Sequence, residues 1–178
     1  PNLRDLIPGT REIGNYGVPI AISSLVLVYN EKTIKTPPKA IKDLANPEYK
    51  GRVGIFNLEN TAGVLMLLAL ADANGGGIDK VDPAFEVLRQ IKPNLLNATG
   101  ATATLIQMFE QGEADVGVMW SGRVSIMQHN KHPIRHVIPA EGMYSLSSYL
   151  SLVARSPRRE AGLAFMNACA SPQTSEGF

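Results

Sequence analysis

Residues 115–123 read Asp115-Val116-Gly117-Val118-Met119-Trp120-Ser121-Gly122-Arg123, an apolar run that ends in four residues suited to contact a ligand. The first part predicts a short buried strand. Ser121 is then predicted to cap the helix that follows. In open α/β sheets, ligands bind outside the carboxyl ends of the strands. We therefore interpret Trp120, Ser121 and Arg123 as one wall of a binding site, with Gly122 allowing close approach.

The composition excludes several other classes of protein. The 178 residues are 44% hydrophobic, enough to fill a core, and 17 basic residues face 16 acidic ones without long runs of one sign. This balance argues against a nucleic-acid surface. The most apolar run, residues 62–71, is too short to insert into a membrane. No phosphate-binding or dinucleotide-binding glycine motif is present, and no convincing acid–base pair. We expect no cofactor, no metal and no enzyme activity.

The order of elements predicts an α/β fold. Strands and helices alternate between about residues 52 and 138, which indicates one compact α/β unit. Long extended segments flank this unit at residues 16–29 and 144–154. We interpret them as paired crossovers of a two-lobed, hinged protein. The expected regions are a first-lobe remnant with the first crossover at 1–30, a complete α/β lobe at 31–138, and the return crossover with part of the first lobe at 139–178.

Three turns between a predicted strand and a predicted helix share one character. They lie at residues 57–63, 97–102 and 120–123, and each is rich in small, hydroxyl or amide residues. The start of a helix presents free backbone N–H groups that favour anions or polar oxygens. Asn60, Thr99 or Thr102, and Ser121 could be ordinary N-caps. Three such turns on one sheet edge favour contact between at least one of them and a ligand, with Asn60 and Thr61 as candidates.

Five stretches in this order resemble the solute-binding proteins of bacterial ABC importers, and most of all those of the spermidine/putrescine-binding type. The stretches are YGVPI at 16–20, SLVLVYN at 24–30, LANPEYKGRV at 44–53, GEADVGVMWSG at 112–122 and PAEG at 139–142. The resemblance implies a type II periplasmic-binding fold, here one complete lobe with hinge crossovers plus part of the second lobe. It also implies ligand capture between the lobes. Family members are considerably longer, so we expect most of the first lobe's N-terminal part to be missing.

The resemblance also implies site residues. Trp120 matches the family's aromatic residue at the end of this strand. The turn at Asn60 and Thr61 matches the place where polyamine binders carry acids. Their later Trp-x-Asp element falls near Leu146 and Ser148, so both its aromatic ring and its acid are missing.

These departures disfavour a polyamine as the ligand. Diamines need carboxylates to offset their desolvated ammonium groups. With those acids absent and Arg123 present, a ligand with a carboxylate or another anionic group fits better. An amino-acid-like zwitterion is one example, with Glu59 or Glu141 holding the amine and Ser148 as a further contact.

The expected function is therefore binding of a small polar solute in an interlobe cleft and its delivery to the membrane permease of an ABC importer. The protein is expected in the periplasm, or lipid-anchored outside the cell if the source is Gram-positive. Polyamine binding for import remains one alternative. The effector-sensing domain of a LysR-type transcription regulator, which has a similar two-lobed architecture, is the other.

Overall fold

The computed structural model describes residues 16–142 and 144–171. Strands and helices follow one another in the order that the sequence predicts. They are β1 Val18–Asn30, β2 Val53–Phe56, α1 Thr61–Ala73, α2 Asp82–Ile91, β3 Leu95–Thr99, α3 Thr102–Glu110, β4 Val116–Trp120, α4 Ser121–His129, β5 Ile134–Val137, β6 Ser145–Leu150 and α5 Arg159–Cys169. Short 3₁₀ turns add Ile41–Ala45, Pro47–Tyr49 and Lys92–Asn94.

The strands form one mixed sheet. Its order is β3-β2-β4-β1-β5, and β6 pairs with β1. Strand β2 is parallel to both β3 and β4, whereas β1 runs antiparallel to β4 and β5. The pairing of β6 with β1 confirms that the two long extended segments lie side by side. The α/β class is also confirmed.

The chain divides into two compact units. One unit is Ser24–Ser145, which contains β2 to β5 and α1 to α4. The other consists, in its described part, of residues 16–23 and 146–171. The lobe predicted for residues 31–138 lies within the first unit, and its role as one lobe of a hinged protein remains a prediction.

The core of the larger unit is built around its two central strands. Every residue of β2 is buried, as are the first four residues of β4. Residues 25–28 of β1 are buried as well. Strands covered on both faces need continuous apolar runs rather than alternating ones, which is the pattern that the sequence shows here.

Two glycines bring β2 and β4 close together. Gly54 and Gly117 lie opposite one another in the parallel ladder. A Cβ atom added at Gly117 would lie 1.8 Å from the backbone oxygen of Gly54, and one added at Gly54 would lie 2.8 Å from Leu105 Cδ1. No side chain fits at Gly117 without a movement of the backbone, so the two strands can approach this closely only with glycine there.

A buried carboxylate fixes the amino end of β4. The Asp115 side chain is 3% exposed, and it accepts hydrogen bonds from Thr33 Oγ1 at 2.8 Å and Arg52 Nη1 at 2.5 Å. The Asp115 backbone N–H donates to Arg52 O, and its carbonyl accepts from the N–H of Asn30. One residue thus ties β4 to the start of β2 and the end of β1.

Gly117→Ala should lower the free energy of unfolding by about 3 kcal/mol, because the added methyl group must force two strand backbones apart. Urea unfolding followed by circular dichroism measures this loss. Gly122→Ala is the matched control. A Cβ at Gly122 meets nothing within 4 Å, so this helical substitution should stabilise by less than about 1 kcal/mol. Equal losses in both variants would contradict the close approach of β2 and β4.

Candidate functional site

The order of the parallel strands indicates where in the sheet a ligand would bind. From β2 the chain passes to β3 on one side, and from β3 it returns past β2 to β4 on the other. Because such connections are right-handed, the helices after β2 and after β3 leave to opposite faces of the sheet. In sheets of this kind ligands bind outside the carboxyl ends of the strands, so we take the carboxyl ends of β2 and β4 as the candidate site.

The two turns that follow β2 and β3 are joined by hydrogen bonds. Asn60 Oδ1 accepts from the N–H of Ala62 at 2.9 Å, which confirms the predicted N-cap of α1. Asn60 Nδ2 donates to Gly100 O at 2.9 Å, and the N–H of Asn57 donates to Thr99 O at 3.0 Å. Asn60 therefore holds the β2–α1 turn against the β3–α3 turn.

Glu59 carries a carboxylate at the same place. Its N–H donates to Asn57 Oδ1 at 3.1 Å, and its Oε2 accepts from Asn57 Nδ2 at 3.2 Å. A Cβ at Gly100 would lie 3.0 Å from this Oε2, so Gly100 leaves room for the acid beside the next turn. Thr61, the first residue of α1, is exposed next to it. The candidates Glu59, Asn60 and Thr61 thus form one group.

The end of β4 brings the second group of candidates together. Trp120 is partly buried, packs against the core and pairs with Leu25 of β1. Trp120 and Asn57 each follow three residues after the paired glycines Gly117 and Gly54. Since the parallel strands advance equally, the aromatic residue and the β2–α1 turn emerge at the same edge of the sheet.

The prediction that Ser121 caps α4 is wrong. Trp120 occupies the N-cap position, and the first turn of α4 has no side-chain cap. Ser121 is the first helical residue, and its Oγ accepts from the N–H of Ser24 at 3.3 Å. The Ser121 hydroxyl faces β1, where the backbone amide of Ser24 lies just beyond the last paired position of the β1–β4 ladder.

Arg123 lies exposed in the first turn of α4. The described residues offer its guanidinium neither an ion pair nor a hydrogen bond. The start of a helix carries partial positive charge and favours anions. Stabilisation of the helix therefore does not explain why a cation lies at this position.

Two other candidates lie elsewhere. The Glu141 carboxylate accepts from the N–H groups of Ile41 at 2.8 Å and Lys42 at 3.4 Å, at the start of a 3₁₀ turn. These backbone N–H groups are its partners among the described residues, and its expected role as a ligand contact stays a prediction. Ser148 lies in β6, outside the Ser24–Ser145 unit.

Two further residues belong to the candidate site and are not among those predicted from the sequence. Asn57 orients Glu59, and Ser24 orients Ser121. Asn57 could have been found as the first residue after a buried strand. Ser24 interrupts an otherwise apolar run of β1, which is a weak signal for a polar contact.

Tyr144 ties the segment after β5 to α1. Its hydroxyl donates to Asp72 Oδ2, and this hydrogen bond is the main reason why the pKa of Tyr144 is raised above its usual value. A raised pKa favours the neutral phenol, so the contact contributes fully below pH 10 and is lost as the pH rises through the folded-state pKa. The tether therefore persists at neutral pH.

A protein-family model described as bacterial extracellular solute-binding protein matches residues 2–177. The chain belongs to this family. Residues 16–142 and 144–171 contain no helix that combines the length and apolar character needed to cross a membrane.

A curated relative of this solute-binding protein is the spermidine/putrescine-binding periplasmic protein 1 of Haemophilus influenzae. It is 25% identical over 163 residues, which cover 90% of this chain and 45% of the relative. The corresponding protein of Escherichia coli is 22% identical over 166 residues, with 91% and 47% covered. The chain thus spans about half the length of the curated relatives that it matches.

Solved structures confirm the type II periplasmic-binding fold. The periplasmic binding protein AfuA of Actinobacillus pleuropneumoniae, solved with fructose-6-phosphate bound, has a TM-score of 0.82 at 20% identity. The match covers 99% of this chain and 57% of AfuA. At this identity, the likeness establishes the fold only.

Asn60→Ala should lower the free energy of unfolding by about 2 kcal/mol, because it removes both the cap of α1 and the hydrogen bond to Gly100. Asn60→Asp keeps the capping oxygen and should lose about half as much. Urea unfolding of the three proteins measures the difference. Equal stability of Asn60→Ala and the unchanged chain would show that the two turns are not held together by Asn60.

Proposed function

We propose that the protein binds a small polar solute at the carboxyl ends of β2 and β4 and delivers it to the membrane permease of an ABC importer. The observation that carries this proposal is the parallel register of β2 and β4, which brings two turns to one edge of the sheet, each at the start of a helix, with Glu59 after β2 and Arg123 after β4. The family supports the binding role, and its periplasmic relatives support a location outside the inner membrane. A family of binding proteins agrees with the expectation that the protein is not an enzyme.

The charges of the candidate site favour a solute that carries an anionic group. Arg123 is a cation without a partner among the described residues, at a helix end that itself favours anions. A carboxylate placed there would gain a charge-assisted hydrogen bond and a contribution from the helix dipole. The partly buried Trp120 offers an aromatic surface to the apolar part of the same solute.

Glu59 supplies the opposite charge at the neighbouring turn. Adjacent strands lie about 4.8 Å apart, so Glu59 and Arg123 belong to turns separated by a distance that suits a small zwitterion. Asn57 keeps the Glu59 carboxylate in place while leaving it exposed to a cationic group. An amino-acid-like solute would satisfy both charges of this site.

Polyamine binding is the second candidate, because the relatives from Haemophilus influenzae and Escherichia coli are spermidine/putrescine-binding proteins. A diamine needs a carboxylate for each desolvated ammonium group. Glu59 is the one acid that the sequence places within residues 57–61, 97–102 and 120–123. Glu141 accepts hydrogen bonds from backbone N–H groups. We therefore favour the anionic solute.

Replacement of Arg123 tests the anionic group. Arg123→Ala should weaken binding by about 2 kcal/mol, roughly thirtyfold, and Arg123→Lys should recover only part of the loss because an ammonium group cannot form the bidentate contact. Calorimetry on the whole protein with α-amino acids, 4-aminobutyrate, other ω-amino acids and putrescine measures these affinities. Lys50→Ala, an exposed cation just before β2 at its amino end, is the control and should bind normally. Tight putrescine binding that Arg123→Ala leaves unchanged would contradict the proposal.

Replacement of Glu59 separates a zwitterion from a purely anionic solute. Glu59→Gln keeps the side-chain shape and an oxygen for Asn57 but removes the charge. Affinity for an α- or ω-amino acid should then fall by about tenfold, because the ammonium group loses its charged partner. The same titrations with an amine-free carboxylate should show little change. A loss of equal size for both solutes would argue against an amine beside Glu59.

A further inference from the structure

Three serine residues form a chain of hydrogen bonds beside the candidate site. The backbone N–H of Ser24 donates to Ser121 Oγ at 3.3 Å. The Ser24 and Ser145 hydroxyl oxygens lie 2.8 Å apart, so one donates to the other. Ser24 is 8% exposed, which makes these polar contacts costly to leave unmade. The N–H of Leu25 donates to Tyr144 O at 2.9 Å, so backbone and side chains join the same two segments.

Two of these serines lie at the two ends of the larger unit. Ser24 is the first residue of the Ser24–Ser145 unit, and Ser145 is the last. The hydroxyl pair therefore joins the point where β1 enters the unit to the point where β6 leaves it.

Ser121 connects this pair to the candidate site. A serine hydroxyl can donate one hydrogen bond and accept two. By accepting from Ser24, the Ser121 oxygen keeps its own proton for an acceptor on the solute. Ser121 is partly exposed and directly follows Trp120. Hydrogen bonds in such a chain polarise one another, so a solute that accepts from Ser121 strengthens the bond from Ser24.

We propose that Ser24 is a positioning residue. When a solute binds at Ser121, Ser24 transmits the effect to β1 and β6 at the edge of the unit, through its hydroxyl contact with Ser145. This inference rests on the proposed function, because it needs a solute at the carboxyl end of β4. Ser24 itself touches no solute. Its backbone N–H holds Ser121 in one orientation and its hydroxyl contacts Ser145, so the two contacts are linked through Ser24 itself.

The test uses Ser24→Ala, Ser145→Ala and the double variant in the whole protein. Each single variant removes the same hydroxyl contact, so each should weaken binding of the panel's amino acids by about fivefold, and the double variant should weaken it no further. Ser125→Ala is the control. Ser125 Oγ donates to Ser121 O within the same helix and does not reach β1 or β6, so this variant should bind normally.

Hydrogen–deuterium exchange distinguishes positioning from simple stabilisation. In the unchanged protein, an amino acid of the panel should slow exchange around residues 24–28 and 144–150 as well as around 57–63. In Ser24→Ala and Ser145→Ala, the slowing should persist at 57–63 and disappear at 24–28 and 144–150. A purely structural role would leave the pattern of slowing unchanged while lowering stability.

The outcomes separate this inference from the proposed function. If the unchanged protein binds an amino acid of the panel and both serine variants keep its affinity and its exchange pattern, the inference is wrong and the proposed function stands. If the two single variants lose affinity additively, the shared contact is not what matters, and the inference is again wrong. If the unchanged protein binds neither amino acids nor putrescine, the proposed function fails and this inference fails with it.

Discussion

The contact between the β2 and β4 backbones at Gly54 and Gly117 sets the geometry on which the site depends. Because a Cβ at Gly117 would lie 1.8 Å from Gly54 O, no other residue allows this approach without a backbone shift. The parallel register, in which Gly54 lies opposite Gly117, determines which residues emerge together at the end of the strands. Asn57 and Trp120 share an edge for this reason. A packing constraint in the core thus positions polar residues at the surface.

The two ends of β4 differ in whether their charged residues have partners among the described residues. At its amino end, the buried Asp115 is satisfied by Thr33 and Arg52 and by the neighbouring backbone. At its carboxyl end, α4 begins with the cation Arg123 in its first turn and with no acidic residue there. Functional sites are the usual place for such departures from local consistency. The contacts of Asp115 hold β4 in place. The carboxyl end of the strand can therefore present the charge of Arg123, which is unpaired in the described part of the chain, in a fixed position before a solute binds.

The sequence predicts the fold well because its signals are local. Apolar runs, helix starts and the order of elements appear directly in the residues, and the cap at Asn60 lies two residues from its partner Ala62. The sequence did not reveal the contacts whose partner is distant. Ser121 accepts from Ser24, 97 residues away, and Glu141 accepts from Ile41, 100 residues away. No local pattern separates a serine that caps its own helix from one that binds another strand.

We propose that charge rather than fold decides which solute this chain binds. The fold is shared by AfuA, solved with fructose-6-phosphate, and by this chain, whose curated relatives are spermidine/putrescine-binding proteins. The strand-end turns must therefore carry the specificity. In this chain the turns place Glu59 on one side and Arg123 on the other. Arg123 stands at the positive end of a helix without an anion among the described residues, so its charge is uncompensated there. Under the proposed function, a solute that brings an anion to this helix end pairs with Arg123, whereas a polyamine would add further positive charge there.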